Sequence, residues 1–260
     1  MNQVLDIAIP HFQSALVVVF RTAGIFAALP VLGSRTIPMQ LKTGVVLLLG
    51  LVLAPLLPPL HLPADPLLLA VGMVNEVVIG LVIGLAVRLF FTSLELAGDL
   101  MGSQMGFSVA QLIDPMTAHQ TPLVASLQTV LASLTFLALN AQYLVVRSVA
   151  TSFDAIAPFT GHLSAGLAED VLLLTQQVFI VALKLAAPVL ATVLVVNVLM
   201  AILGRTVPQL NVFVMSFPVT IACGLAVMAL ALPYSIGLFE SEFVRLDGTL
   251  QGLLNMLGHG

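Results

Sequence analysis

The sequence predicts an all-α integral membrane protein with about six apolar helical segments arranged as hairpins. Hydrophobic residues make up 60% of the chain and charged residues 8%, against roughly 25% charged residues in an average soluble domain. The mean hydropathy is +1.15. So few charged side chains cannot provide a polar surface for a globule of 27.3 kDa. Lipid or neighbouring protein must therefore cover most of the exterior.

The segments are stretches of about 20 apolar residues, the length that crosses the hydrocarbon core of a bilayer. We place them at roughly residues 13–32, 41–60, 67–92, 122–147, 171–203 and 212–238. Breaks rich in glycine and proline separate several of them, at residues 33–38, 55–66 and 204–208. Because the connections are short, we expect no soluble domain between the segments.

Three charged residues stand out inside the predicted segments, away from the segment ends: Arg21, Glu76 and Lys184. A charge at the centre of a bilayer costs about 2.5–3.5 kcal/mol on insertion scales, so each needs a partner or a water-filled cavity. Glu76 can pair with either base, and the sequence does not choose between them. One interpretation is an ion or proton relay. We favour a buried structural pair, because one acid and two dispersed bases do not form a chain of relay groups.

Glycines recur at intervals of four residues in the third segment and beyond it. Gly80 and Gly84 follow Glu76 at this spacing, which is typical of closely packed membrane helices. Gly98 and Gly102 repeat it further along the chain. We interpret these four glycines as helix-packing positions, with the lining of a transport pathway as the alternative.

The stretch 93–122 begins with an amphipathic pattern and ends irregularly. Proline should end regular structure at Asp114-Pro115. Flexible thioether and aromatic side chains in an irregular loop can seal a narrow opening. The residues alone favour an ordinary core-facing loop, with a seal as the alternative. The side chains in question are Met105, Phe107, Leu112 and Ile113.

No residue pattern typical of an enzyme occurs in the chain: it has no Gly-x-Ser-x-Gly, no His-Glu-x-x-His and no P-loop. The five histidines are dispersed, so we expect no metal site and no cofactor. The net charge of −4, without a cluster of basic residues, argues against a nucleic-acid partner. We therefore predict a protein that is not an enzyme.

Three groups of residues resemble one known family. They lie at 21–42 (RTAG, then PVLGSRTIP and Lys42), at 98–115 (GD, QMGFS and DP) and at 204–218 (GRTVPQLNVF and SFP). In this order and at this total length, the chain resembles the FliR/SctT family of type III secretion export-gate subunits. Members of this family serve flagella or virulence secretion systems, and the resemblance favours the flagellar group.

The resemblance implies a role in the bacterial inner membrane, at the export apparatus of the flagellar basal body. The partners it implies are FliP-type and FliQ-type subunits, an FlhB-type subunit, membrane lipid and exported unfolded flagellar proteins. It also implies a single helical membrane domain over 1–260, with a FliP-like half at about 1–165 and a FliQ-like half at about 166–260. In such an assembly, apolar hairpins need not each cross lipid.

The resemblance also implies roles for particular residues. A loop at about 105–122 would plug the closed channel, which makes a seal the favoured interpretation there. Its residues are Met105, Gly106, Phe107, Leu112 and Ile113. A characteristic motif follows the fifth segment, and we interpret it as an assembly contact. Its residues are Arg205, Pro208, Gln209, Asn211 and Phe213.

The sequence is compatible with three classes of function. The leading hypothesis is a structural subunit of the flagellar protein export gate. The alternative is a proton- or solute-coupled secondary transporter that uses Arg21, Glu76 and Lys184. An intramembrane hydrolase ranks lowest, because no pair of nucleophile and base can be named.

Overall fold

The computed structural model describes residues 2–29, 38–57, 60, 62–63, 65–107, 123–161, 165–207 and 211–259. Every regular element in these ranges is a helix, which confirms the predicted all-α class. The α-helices are α1 (Asn2–Ala28), α2 (Met39–Leu53), α3 (Pro66–Met105), α4 (Leu123–Ala138), α5 (Ala141–Ala155), α6 (Ala165–Thr206), α7 (Val212–Leu230) and α8 (Leu232–His259). A 3₁₀ turn, Ala54–Leu56, follows α2.

Three helix boundaries differ from those expected. Helix α3 continues past residue 92 to Met105, because no proline interrupts this part of the chain. The segment 122–147 is divided between α4 and α5 at Asn140, whose φ of 54° is left-handed. Asparagine tolerates this conformation better than most residues. The last segment is divided at Ala231, and the C-terminal tail continues as part of α8.

Two helical stretches are long and apolar enough to cross a membrane, namely α3 and the part of α6 over Ala168–Thr206. The number rises to four if α4 with α5, and α7 with α8, each form one interrupted span. The apolar helices Phe12–Ala28 and Met39–Leu53 are shorter. The described residues therefore provide two to four candidate spans, and the first two predicted segments are not among them.

The chain packs as two compact units, each assembled from segments that are distant in sequence. Unit 1 comprises Met1–Leu89, Asn140–Leu174 and Val244–Gly260. Unit 2 comprises Phe90–Leu139 and Thr175–Phe243. Neither unit corresponds to the halves implied by the resemblance, divided at about residue 165, and that division stays a prediction.

Unit 1 has α1 at its centre, packed against α2 and α3. A β-carbon on Gly50 of α2 would overlap the side chain of Val19, so the two helices approach closely at this point. Branched aliphatic side chains from α1 and α3 fill the interior of this unit. They include Val17, Val18, Ile25, Ile79 and Ile83, each at most 1% exposed.

Unit 2 has an aromatic cluster in its core. The rings lie with their centroids 4.3 to 5.6 Å apart, in tilted and edge-on arrangements, which are the preferred geometries for aromatic pairs. Helices α3, α4 and α8 contribute to this cluster, so it joins elements that are far apart in the sequence. Its members are Phe90, Phe91, Phe136 and Phe243.

Large apolar side chains also cover the outside of both units. Leu51 on α2, Leu194 on α6 and Val214 on α7 are 69%, 65% and 58% exposed. Soluble monomers rarely show contiguous apolar surfaces on this scale. The structure therefore agrees with the expectation that lipid or other subunits surround the chain.

Candidate functional site

An oppositely charged pair is buried inside unit 1, between α1 and α3. Nε of Arg21 donates a hydrogen bond to Oε2 of Glu76 at 2.6 Å, and both side chains are 0% exposed. The sequence left Arg21 and Lys184 as possible partners for Glu76, and the structure pairs it with Arg21. Lys184 belongs to unit 2 and lies on the exposed surface of α6.

The guanidinium of Arg21 also holds the C-terminal end of α5. Nη1 donates to the carbonyl oxygen of Ser152 at 2.8 Å and to its Oγ at 3.2 Å. Nη1 and Nη2 both donate to the carbonyl oxygen of Ile156, at 3.2 and 3.3 Å. The last carbonyl groups of a helix form the negative end of its dipole, and each oxygen can accept a second hydrogen bond. A planar cation with five N–H donors suits this position.

An aromatic ring completes the surroundings of this guanidinium. The ring centroid of Phe153 lies 3.9 Å from Cζ of Arg21. A cation over an aromatic face is attracted by the ring quadrupole, more strongly where water is excluded. The end of α5 thus offers Arg21 carbonyl oxygens, a hydroxyl group and a ring.

Glu76 links the same pair to the turn that follows α5. Its Oε1 accepts a hydrogen bond from the backbone N–H of Phe159 at 2.9 Å. Phe159 has a φ of 65°, a left-handed conformation that is unfavourable for a bulky residue. The carboxylate therefore stabilises a strained turn. Gly72 leaves room for the Phe159 ring, because a β-carbon there would overlap it.

We call Arg21 and Glu76, with their acceptors and donor at Ser152, Ile156 and Phe159, the clasp. Both carboxylate oxygens and all three guanidinium nitrogens are hydrogen-bonded. A proton relay or solute site needs access to water, whereas this pair is fully buried. Such a pair contributes little net stability against an apolar replacement, but removal of one partner leaves the other charge uncompensated. The arrangement is suited to holding α1, α3 and α5 in fixed positions relative to one another.

Glycines allow α1 and α3 to approach closely enough for the clasp to form. A β-carbon on Gly80 would overlap the carbonyl oxygen of Arg21, and one on Gly84 would lie 2.8 Å from Cβ of Ala28. Because backbone atoms cannot move aside as a flexible side chain can, a larger residue at Gly80 would separate the helices. These two predicted packing positions therefore lie at the contact that brings Arg21 and Glu76 together.

The other two predicted packing glycines lie in unit 2, where α3 meets α4. A β-carbon on Gly98 would overlap the backbone of Ala125. Gly102 is less restricted, because a β-carbon there would lie 3.4 Å from Val124, an ordinary contact distance. The described residues on either side of the segment 108–122 are therefore held together.

Helix α3 ends against α7 in unit 2. Met105 is 0% exposed and packs on Gly224, where a β-carbon would lie 2.7 Å from its Cε. The hydroxyl of Thr220 donates to the Met105 carbonyl oxygen at 3.1 Å. Gly106 follows with a φ of 96°, the left-handed conformation that glycine commonly adopts just after a helix.

These positions change the interpretation of the predicted sealing residues. The sequence placed Met105 among them, but the continuation of α3 buries its side chain in unit 2. Phe107 is half-buried. Leu112 and Ile113 lie outside the described residues. Of the five predicted positions, Met105 and Gly106 thus lie where the end of α3 contacts α7.

The predicted assembly motif, from Arg205 to Phe213, extends from the last turn of α6 to the first turn of α7. Arg205 is exposed in the last turn of α6, where a cation complements the helix dipole. Asn211 caps α7, since its side chain accepts a hydrogen bond from the backbone N–H of Val214 at 3.3 Å. Pro208 and Gln209 lie outside the described residues, and Phe213 belongs to the first turn of α7.

Sequence reasoning missed most of the residues that surround the clasp. Two of the clasp's contacts are the backbone carbonyl group of Ile156 and the backbone N–H of Phe159. Any residue type provides such groups, so no sequence signal marks them. Thr220, which caps α3, is a polar residue in an apolar helix, but its partner 115 positions away could not be identified from the sequence. The described residues contain no group of three or more potential metal-ligating side chains.

The chain is similar to known bacterial proteins along most of its length. Residues 12–246 match a family described as "Bacterial export proteins, family 1". The chain is 29% identical to the flagellar biosynthetic protein FliR of Bacillus subtilis (strain 168), over 99% of both chains. It is 27% and 30% identical to the proteins of the same name in Escherichia coli (strain K12) and Pectobacterium carotovorum subsp. carotovorum, over 91% of each chain. The matched range includes the clasp and every candidate site residue.

Proposed function

This chain belongs to the family of bacterial export proteins, family 1, and from that membership we propose that it is a structural, non-enzymatic subunit of the flagellar type III protein export gate. With FliP-type and FliQ-type subunits, it forms the channel through which unfolded flagellar proteins leave the cell. The gate lies in the bacterial inner membrane at the flagellar basal body, in contact with an FlhB-type subunit. The observation that carries the proposal is similarity to flagellar biosynthetic proteins over most of the chain, and to one of them over 99% of it.

The surface and the buried pair support a structural role. Exposed leucine and valine side chains cover helices of both units, as expected of a chain surrounded by lipid and other subunits. The guanidinium nitrogens of Arg21 and the carboxylate oxygens of Glu76 all form hydrogen bonds with residues of unit 1. The clasp therefore sets the relative positions of three helices and takes no part in moving a solute or proton.

The loop at about 105–122 plugs the closed channel. Phe107, Leu112 and Ile113 provide the seal, and Met105 with Gly106 anchors it. The support for this role is the fixed base of the loop, where Gly98 contacts Ala125 and Thr220 caps α3. A plug needs such a base, because the loop must return to the same place after each transport event.

The motif from Arg205 to Phe213 contributes to assembly with the partner subunits. Arg205 is exposed at the end of α6 and Asn211 is exposed at the start of α7. A cationic side chain and an amide provide donors and acceptors that are available to a neighbouring subunit.

The transporter alternative receives less support. It requires Arg21, Glu76 and Lys184 to act on one solute or proton. Arg21 and Glu76 are fully buried and bonded to each other, and Lys184 lies in the other unit. We therefore retain the gate as the function that the geometry supports best.

A deletion experiment in the native bacterium tests the proposal. We expect an in-frame deletion of this gene to abolish the appearance of hook and filament proteins in the culture medium, because no channel forms. Immunoblots of medium and cells measure this export, with a protein secreted by another route as the control. Restoration by the plasmid-borne gene should return export to the wild-type level. Continued flagellar export in the deletion strain would contradict the proposal.

A further inference from the structure

Lys184 is a cation on the outside of an otherwise apolar stretch of α6. Its side chain is exposed, as are Leu183 at 54% and Ile180 at 37% beside it. The other charged residues of α6 are near its ends, at Glu169, Asp170 and Arg205. With a rise of 1.5 Å per residue, Lys184 lies about 20 Å along the helix from Asp170 and about 30 Å from Arg205.

The backbone around Lys184 is fixed against α8 within unit 2. Pro188 lies inside α6 and has no N–H to donate to the carbonyl oxygen of Lys184, four residues before it. The hydroxyl of Tyr234 on α8 donates a hydrogen bond to that oxygen at 3.5 Å. The backbone of Lys184 thus faces α8, while its side chain is exposed.

The ammonium group of Lys184 needs an anion as its partner. Among the residues that the structure describes, none is shown in an ion pair or side-chain hydrogen bond with this ammonium group. An uncompensated ammonium group is costly both in lipid and in a protein interior. A lysine side chain is too short to reach the membrane surface from the middle of a spanning helix, a distance of about 15 Å. A neighbouring helix, in contrast to a lipid headgroup, can bring an anion to any depth of the bilayer.

The surface around Lys184 suits a neighbouring helix. Ala187 and Ala191, one and two turns further along α6, are also exposed. Small side chains let another helix approach the backbone closely. A helix seated there could bring a carboxylate to Lys184 while it covers the exposed leucine and isoleucine side chains.

From this geometry we infer that the face of α6 around Lys184 is an interface with another subunit of the export gate, and that the partner is an apolar helix carrying an aspartate or glutamate that pairs with Lys184. This inference rests on the proposed function, because it requires the chain to be part of a hetero-oligomeric complex. It specifies which surface of this chain forms the interface, and it specifies the negative charge that the partner must carry.

Charge variants of the intact complex test the inference. The complex is purified in mild detergent through a tag on this chain, and the co-purified FliP-type and FliQ-type subunits are quantified. Lys184→Glu and Lys184→Met should lower their recovery by at least about tenfold, because they leave a buried carboxylate unpaired. Lys184→Arg should retain most of it. Arg147→Glu, a charge reversal at an exposed residue of α5, is the matched control and should have little effect.

A zero-length cross-link identifies the partner directly. A carbodiimide joins an amine to a carboxylate only when the two are in contact, so the wild-type complex should yield a peptide linking Lys184 to an aspartate or glutamate of another subunit. Wild-type recovery of the partners with Lys184→Glu would overturn the inference. So would a cross-link to a second copy of this chain, or ready labelling of Lys184 by a water-soluble amine reagent in the intact complex. If the wild-type chain recovers no such partners, the proposed function itself fails.

Discussion

Replacement of Glu76 by alanine is expected to destabilise the chain by about 3–5 kcal/mol, the usual cost of breaking a buried ion pair. The change would leave the guanidinium of Arg21 buried and without its counter-ion. It would also remove the acceptor for the backbone N–H of Phe159, which holds the turn after α5. For a chain of 260 residues, this corresponds to a fall of about 10 °C in the melting temperature. Size-exclusion chromatography of a fluorescently tagged chain after heating in detergent measures it.

Two further variants separate the ion pair from the other bonds of the clasp. The double replacement Arg21→Met with Glu76→Leu should be less damaging than Glu76→Ala, because neither buried charge remains. The exchange Arg21→Glu with Glu76→Arg should not restore stability, because a carboxylate at position 21 would face the carbonyl oxygens of Ser152 and Ile156. Glu240→Ala removes an exposed carboxylate and is the control. Equal stability of the Glu76→Ala and Glu240→Ala variants would contradict the structural role of the clasp.

Removal of the seal is the second change from which we expect a large effect. Replacement of both Phe107 and Ile113 by glycine should make cells permeable to small solutes, because it removes two apolar side chains that we propose close the channel. Deletion of residues 106–113 should do the same and more strongly. Uptake of a small fluorescent dye by cells that express the complex measures the leak.

Two controls distinguish a loss of the seal from a failure of the complex to assemble. Replacement of His119 and Gln120 by glycine changes polar residues of the same segment of the sequence and should leave the cells impermeable to the dye. Co-purification of the partner subunits shows whether each variant complex still assembles. An intact complex that remains tight after loss of Phe107 and Ile113 would refute the plug.

Composition and periodicity were sufficient to predict the helical class, but they did not locate every interruption. The predicted segment 67–92 continues as α3 to Met105, because nothing in this stretch ends a helix. Pro188 and Pro218 lie inside helices, although proline usually ends them. The interruption at Asn140 depends on one residue in a left-handed conformation, and asparagine in an apolar stretch does not indicate this by itself.

The candidate site was partly accessible to sequence reasoning. A buried glutamate in an apolar segment must find a base, so the sequence narrowed the choice to Arg21 and Lys184. It could not decide between them, because the choice depends on how α1 crosses α3 at Gly80 and Gly84. The contacts to α5 depend on backbone atoms 131 and 135 positions from Arg21. Such long-range contacts arise only from the complete fold.

The most direct test of the central claim is the composition and size of the complex that contains this chain. The tagged chain is purified from its native cell in mild detergent, and its partners are identified by mass spectrometry. We predict a large assembly that contains FliP-type and FliQ-type subunits. A small homo-oligomer without them would contradict the export-gate function.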